Sequence, residues 1–167
     1  MDNRIRVFER IARVAARVQL PVSPYREHPI DHPFDVRDIH PKFPIQVRTL
    51  FDDGHFAQAT FEAYKYIDNE IQRLSGIHES GKKLMMRAFS EESPAIRVTA
   101  TGTVTERDIQ EGYKFIFAGS SLAIRNPRAH EHSIVDAADT CLDHLSIASH
   151  LLRRLEDSGY ELSNTAT

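Results

Sequence analysis

From its first residues the chain places apolar and polar positions with the period of an α-helix. Arg6, Arg10, Arg13 and Arg17 recur at i, i+4, i+7 and i+11, which sets all four on one narrow stripe at about 100° per residue. Phe8, Ile11, Ala15 and Val18 fall on the opposite face, so residues 1–20 are predicted to form an amphipathic basic helix, its charge diluted by Asp2 and Glu9. The simplest role for such a stripe is a solvated face on a docking helix. The functional alternatives are a phosphate-binding ridge for RNA and attachment to a membrane surface.

The helical period then breaks. Between Leu20 and Ile45 stand six of the eight prolines, so residues 21–44 read as an extended, semi-rigid connector. A tandem echo, His28-Pro29-Ile30-Asp31 followed by His32-Pro33-Phe34-Asp35, lies within it. His28, His32 and His40 with Asp31, Asp35 and Asp38 can be drawn as a metal site, but no spacing among them matches a zinc or iron pattern. A connector that packs Ile30 and Phe34 onto a core is the better reading, and no metal site is expected.

Residues 45–159 carry the predicted helical domain. From residue 53 the period returns: Phe56, Ala59, Ala63, Tyr66, Ile67, Ile71 and Leu74 mark one buried face, and Gly76 supplies a stop. A shorter helix is predicted over Lys82 to Phe89, with Leu84, Met85, Ala88 and Phe89 turned inward and Ser93-Pro94 closing it. Val98, Thr99, Thr101, Thr103 and Val104 suggest a brief extended stretch or hairpin over residues 95–104.

A third helix opens at Thr105-Glu106-Arg107-Asp108, where a threonine precedes an acid by three residues as in a capping box. Its predicted inner face is Ile109, Tyr113, Ile116, Phe117, Ser120 and Ile124. The small residues Ala118, Gly119, Ser120 and Ser121 would let a neighbouring helix or a second subunit approach closely. Ser133-Ile134-Val135-Asp136 repeats the capping logic for a last helix, whose inner face is Ala137, Cys141, Leu142, Leu145, Ala148, Leu152 and Leu155. Gly159 closes it, and residues 160–167 read as a frayed polar tail.

Composition narrows the class. A chain of 167 residues with 41% hydrophobic content buries one ordinary core, which implies one domain with an appendage. The net charge of −3 means that any nucleic-acid affinity must come from local basic clusters. A single cysteine, Cys141, excludes an internal disulfide and a multi-cysteine zinc site. No apolar run is long enough to span a bilayer, so a cytoplasmic chain with no membrane partner is expected.

The candidate chemistry is concentrated in Arg125-Asn126-Pro127-Arg128-Ala129-His130. RNA self-cleavage needs a base for the 2′-hydroxyl and positive charge on the phosphorane oxygens, and this stretch holds a fixed cation, a polar amide and a histidine. In an unbroken helix Arg125 and His130 would stand about 140° apart, on different faces. Pro127 should disturb the helix and bias Asn126 away from helical geometry, bending both groups toward one cleft. Arg128 and His132 are further candidates for holding the phosphate. Each has a structural alternative: Arg125 suits helix-end carbonyls or an acidic partner, and Asn126 suits a cap before Pro127. His55, His78, His144 and His150 read as inert surface groups, and Cys141 as a small hydrophobe in the core.

Arg125, Asn126 and His130 also resemble, position by position, the R-x4-H signature of HEPN-domain ribonucleases, in which the residue after the arginine is typically Asn, Asp or His. The segment leading into them, Glu111-Gly112-Tyr113-Lys114-Phe115-Ile116-Phe117-Ala118-Gly119 followed by Ser120-Ser121-Leu122-Ala123-Ile124, looks like that of the Ymh type, a family of prokaryotic proteins grouped with HEPN domains. Leu50-Phe51-Asp52-Asp53-Gly54-His55-Phe56 running to Leu74-Ser75-Gly76, and Gly81-Lys82-Lys83-Leu84-Met85-Met86-Arg87-Ala88-Phe89-Ser90, are similar to the same family, so the likeness covers residues 40 to 158. The resemblance implies an all-α, HEPN-like antiparallel bundle. It also implies a metal-independent endoribonuclease needing no cofactor, with His130 as base, Arg125 on the phosphorane and Asn126 orienting phosphate or imidazole. A homodimer with its site at the interface, and a toxin or phage-defence role restrained by an antitoxin or a defence-complex partner, follow from the same likeness. The competing class is a non-catalytic module that binds RNA, a nucleotide or a protein.

Overall fold

The computed structural model describes residues 31–131 and 134–164. The predicted N-terminal helix, residues 21–30 of the proline-rich connector with His28 and Ile30, and His132 lie outside the described residues. Those described form an all-helical unit: α1 (Pro33–Val36), α2 (Ile45–Asp52), α3 (Phe56–Ser75), α4 (Gly81–Ala88), α5 (Val104–Ser120), a π-helical turn (Ser121–Arg125), α6 (Asn126–His130) and α7 (Ala138–Asp157). None of these helices is long and apolar enough to cross a membrane.

Helix α3 is the hub, packing against α2, α4, α7 and the π-turn, while α5 packs on α4. The periodicity explains this placement. Ala59, Ala63, Ile67 and Ile71 of α3 are fully buried, and they meet Leu84, Met85 and Ala88 of α4 and Leu145, Leu151, Leu152 and Leu155 of α7 in one core. Each fully buried large side chain contributes about 1.5–3 kcal/mol. Phe89 stacks on Phe117 with ring centroids 4.3 Å apart, which joins the end of α4 to α5. Gly76 ends α3 in the left-handed conformation at φ 69°, where a side chain would be strained.

Several local expectations are corrected. The last part of the connector is not featureless: His32 caps α1, its Nδ1 accepting from the Phe34 N–H at 3.1 Å with Pro33 at the first helical position. Phe34 does pack on the core, 5.1 Å from the Phe51 ring. Helix α2, which the reading from residue 53 omits, begins after Pro44 and buries Val47 and Phe51 one turn apart. His32 and His40 pair with Asp52 and Glu156 at 2.7 and 2.9 Å, and no three metal-ligating side chains converge among the described residues.

No strand forms at residues 95–104 among the described residues. The reason is Gln110, wholly buried, whose Oε1 accepts from the Val98 N–H at 2.9 Å while its Nε2 donates to the Ile96 carbonyl at 2.9 Å. One side-chain amide thus supplies what a partner strand would have supplied. Helix α5 starts two residues earlier than expected, because the working capping box is Thr103 with Glu106. Its inner face is also rotated: Phe117, Ser120 and Ile124 are buried as expected, but Ile109 and Ile116 are exposed, and Gln110 and Lys114 go inside. Lys114 is accommodated by Glu91 and by Glu111 at 3.7 Å.

Helix α7 buries the expected Cys141, Leu142, Leu145, Ala148, Leu152 and Leu155, while Ala137 is its exposed, uncapped N-terminal boundary. Of the tail expected to fray, residues 160–164 are described, and they are held on the bundle. Leu162 enters the core, and Glu70 accepts from the Ser163 N–H at 2.8 Å and from its hydroxyl at 2.5 Å.

Candidate functional site

The site is assembled where the end of α5 meets α3. Asn126 donates its N–H to the carbonyl of Ser121, five residues back, so the turn before it is π rather than α. Proline explains the widening. Pro127 has no N–H to return, and its ring would collide with the carbonyl of Ala123 four residues earlier in a regular helix. Opening the preceding turn by one residue relieves both problems without breaking the chain direction. Asn126 therefore remains helical, at φ −63° and ψ −43°, contrary to the expectation that Pro127 would push it out.

Helix α3 faces this turn with Phe61, Tyr64 and Asp68, spaced at i, i+3 and i+7. The guanidinium of Arg125 lies over the Phe61 ring at 5.5 Å, and its Nη1 donates to Asn126 Oδ1 at 3.3 Å. Arg125 Nε stands 3.7 Å from Asp68 Oδ2, and this buried N–H has no hydrogen-bond partner among the described residues. Asp68 is 4% exposed and accepts the Gly81 N–H at 3.0 Å. Burial raises the Asp68 carboxyl above its ordinary value, outweighing the Gly81 hydrogen bond and the Arg125 charge, both of which pull it down. Arg125 thus has the acidic partner that its structural alternative anticipated.

Gly81 opens α4 in the left-handed region at φ 61°. A Cβ there would stand 3.5 Å from Ser121 Oγ and 3.6 Å from Asn126 Oδ1, so the start of α4 lies directly against the π-turn. Asp68, Gly81, Ser121, Arg125 and Asn126 form one polar cluster, of which the sequence pattern isolates only the last two as chemistry. Asp68 had one legible signal, since Phe61, Tyr64, Asp68 and Ile71 share a helical stripe that ends in core.

The remaining candidates separate. Arg128 was expected at a phosphate, but its guanidinium is committed elsewhere: Nε and Nη2 reach the two oxygens of Asp136 at 2.6 and 2.7 Å, and Nη1 reaches the Ile124 carbonyl at 2.7 Å. With side chains 8% and 7% exposed, this bidentate pair ties α6 to the segment that leads into α7. His130, at the end of α6, is exposed and has no hydrogen-bond partner among the described residues. A cleft of about 150 Å³ lined by Ala57, Gln58, Phe61, Arg128, Glu131 and Ile134 adjoins the cluster.

His144 is not a surface group. Its Nδ1 is buried without a partner, and burial, followed by the Arg128 charge, lowers its basicity. Tyr64 donates to the His144 carbonyl at 3.3 Å, and burial raises the Tyr64 hydroxyl far above its ordinary value. Cys141 accepts from Thr60 at 3.4 Å in the core, where burial raises its thiol.

With that geometry in place, the match over residues 37–155 to the family described as "Protein of unknown function (Hypoth_ymh)" decides the family. The chain belongs to the Ymh family. No curated protein and no solved structure matches it. Every member of the polar cluster, together with Arg128, His130 and Asp136, falls inside the Ymh region, whereas Leu162 and Ser163, which close the bundle onto α3, lie beyond it.

Proposed function

We propose that this Ymh protein is a metal-independent endoribonuclease of HEPN type, acting on RNA as a homodimer with its site at the interface. The observation that carries the reading is the fixed guanidinium of Arg125, seated on Phe61 beside Asp68 and Asn126 at a π-turn, with an exposed histidine on the next short helix. Buried polar atoms left without partners weaken a fold, so their concentration here argues for a use other than stability. In the reaction His130 takes the proton of the 2′-hydroxyl and Arg125 stabilises the pentacoordinate phosphorane. Asn126 orients the phosphate or the imidazole. The oxygen attacks the adjacent phosphorus and the bond to the 5′-oxygen breaks; that oxygen takes up a proton from water, and His130 later releases its own to solvent, giving a 2′,3′-cyclic phosphate and a 5′-hydroxyl.

Two features support a dimer. The cleft beside the cluster, about 150 Å³, is well below the roughly 300 Å³ at which ligand pockets begin. Helix α5 also presents an uncovered apolar stripe that runs into the π-turn, including Phe115, Ile116 and Leu122. RNA cleavage in EDTA tests the chemistry: it should persist, and His130→Ala and Arg125→Ala should each reduce it by about 10² to 10⁴ while helical content is retained. Cleavage abolished by EDTA, or undiminished in both variants, would overturn the assignment. A toxin or defence role adds a cellular readout, slow growth on expression that His130→Ala relieves.

A further inference from the structure

Helix α4 begins with an electrostatic arrangement that folding alone does not favour. A helix N-terminus carries partial positive charge, so acids belong in its first turn and cations weaken it. The first turn of α4 holds no acid, and Gly81 is followed by Lys82 and Lys83, both exposed. Ser80, at the capping position, makes no side-chain cap. The only first-turn amide with a side-chain acceptor among the described residues is that of Gly81, held by Asp68.

Neither lysine has an acidic partner among the described residues. The acids on either side are already engaged, Asp68 facing Arg125 at 3.7 Å and Glu79 facing Arg87 at 2.8 Å. A second observation points into the same place. Ser121 Oγ is without a partner on a side chain only 2% exposed, and it stands 3.5 Å from where a Cβ of Gly81 would be. Every group left unanswered here can donate: two ammonium groups, the amides of Lys82 and Lys83, and the Ser121 hydroxyl. A cluster of donors at the positive end of a helix is matched by an anion with several acceptor oxygens.

We infer that the start of α4 is a phosphodiester-binding subsite, in which Lys82, Lys83 and Ser121 hold the RNA backbone one step from the reacting phosphate. That the anion belongs to RNA rests on the ribonuclease reading, because a Cβ at Gly81 would stand 3.6 Å from Asn126 Oδ1, which places the subsite beside the motif. The lysines bind substrate and take no part in proton transfer. Their work is to fix the strand so that its scissile phosphate meets Arg125.

The test uses the full chain carrying His130→Ala, so that binding is read without cleavage, and a short fluorescein-labelled oligouridylate titrated by anisotropy over a range of KCl. Replacing Lys82 and Lys83 together with glutamine should weaken binding about tenfold at low salt. It should also lower the logarithmic salt slope by about 0.7 for each lost phosphate contact. The melting temperature should hold or rise slightly, since two cations leave the positive end of the helix dipole. Ser121→Ala should weaken binding with the salt slope unchanged. Unaltered affinity and slope in the lysine variant would overturn the subsite, and so would competition by polyglutamate as strong as that by unlabelled RNA. A wild-type chain that binds through these lysines yet never cleaves RNA would remove the ribonuclease reading and leave the subsite standing.

Discussion

Arg125 Nε faces Asp68 Oδ2 at 3.7 Å, within strong attraction and beyond a hydrogen bond. The same carboxylate oxygen holds the Gly81 N–H at 3.0 Å, so Asp68 ties the start of α4 to the motif arginine. The two jobs can be separated. Asp68→Asn keeps an acceptor for Gly81 and removes the charge, whereas Asp68→Ala leaves a buried N–H unpaired and should lose about 1–3 kcal/mol. Burial raises the Asp68 carboxyl, so the folded chain binds a proton that the unfolded chain has released. Stability therefore falls as pH climbs from the ordinary carboxylate value of 3.8 through the raised one. Asp68→Asn should flatten that decline in melting curves across acidic pH. An identical pH dependence in the variant would show that Asp68 is not responsible.

The Arg128–Asp136 pair is a strut, and its variants should behave as structural ones. Asp136→Ala strands a guanidinium that is 8% exposed, which costs about 3–5 kcal/mol in comparable buried pairs. Replacing both partners with apolar residues, Arg128→Met with Asp136→Leu, should recover most of that loss. RNA affinity should survive in the double variant. A loss of affinity at full stability would return Arg128 to the substrate-binding role that its position in the sequence suggested.

How much was legible depended on whether the information was local. The inner face of α3 and its glycine stop follow from period and backbone conformation, though the helix starts at Phe56 and not at residue 53, and the motif Arg125, Asn126 and His130 is visible as spacing. The phase of α5 was not, because Gln110 and Lys114 are polar residues on a buried face, satisfied by Val98, Ile96 and Glu91 from other segments. Two threonines each precede an acid by three residues, at 103 and 105, and backbone geometry selects the first. Asp68, Phe61 and Gly81 reach the motif only through the packing of α3 and α4 on the π-turn, a relationship that no local spacing carries. The π-turn itself follows from Pro127, whose effect the sequence locates correctly but assigns to the wrong dihedral angles.

Glu70 predicts the opposite pH response from Asp68. Its burial pushes the carboxyl up, but hydrogen bonds from Arg73 and from the hydroxyl and amide of Ser163 outweigh that and pull it below the usual carboxylate value. The stability it contributes is present above the unfolded value of 4.5 and lost as pH falls through the lowered one. Acid should therefore release residues 161–164 from α3, with amide exchange at Ser163 accelerating first. Glu70→Gln should remove this acid limb and lower stability by about 1–3 kcal/mol at neutral pH. Unchanged exchange at Ser163 in acid would refute the account.

The uncovered face of α5 gives the assembly prediction. Ile109, Phe115, Ile116 and Leu122 are exposed, Phe115 by 55% and Ile116 by 46%, and Gly112 and Gly119 lie among them with nothing within 4 Å of a would-be Cβ. Large apolar residues beside bare backbone make ridges and hollows that a second helix can enter. Ala118, Ser120 and Ser121, the rest of the small-residue patch, are buried within the chain's own bundle, so Gly119 is the member left to face outward. The stripe ends at the π-turn, and a second copy seated on it would bring two Arg125 and two His130 side chains toward a common groove. Light scattering should give a dimer for the wild-type chain. Phe115→Lys with Ile116→Glu should give a folded monomer, because both positions already face solvent and their apolar area contributes little to the single-chain core. Cleavage should fall with dimer content, and mixing chains that carry His130→Ala with chains that carry Arg125→Ala should restore part of it if each groove uses residues from both copies. A wild-type monomer that cleaves RNA at full rate would place the whole site within one chain.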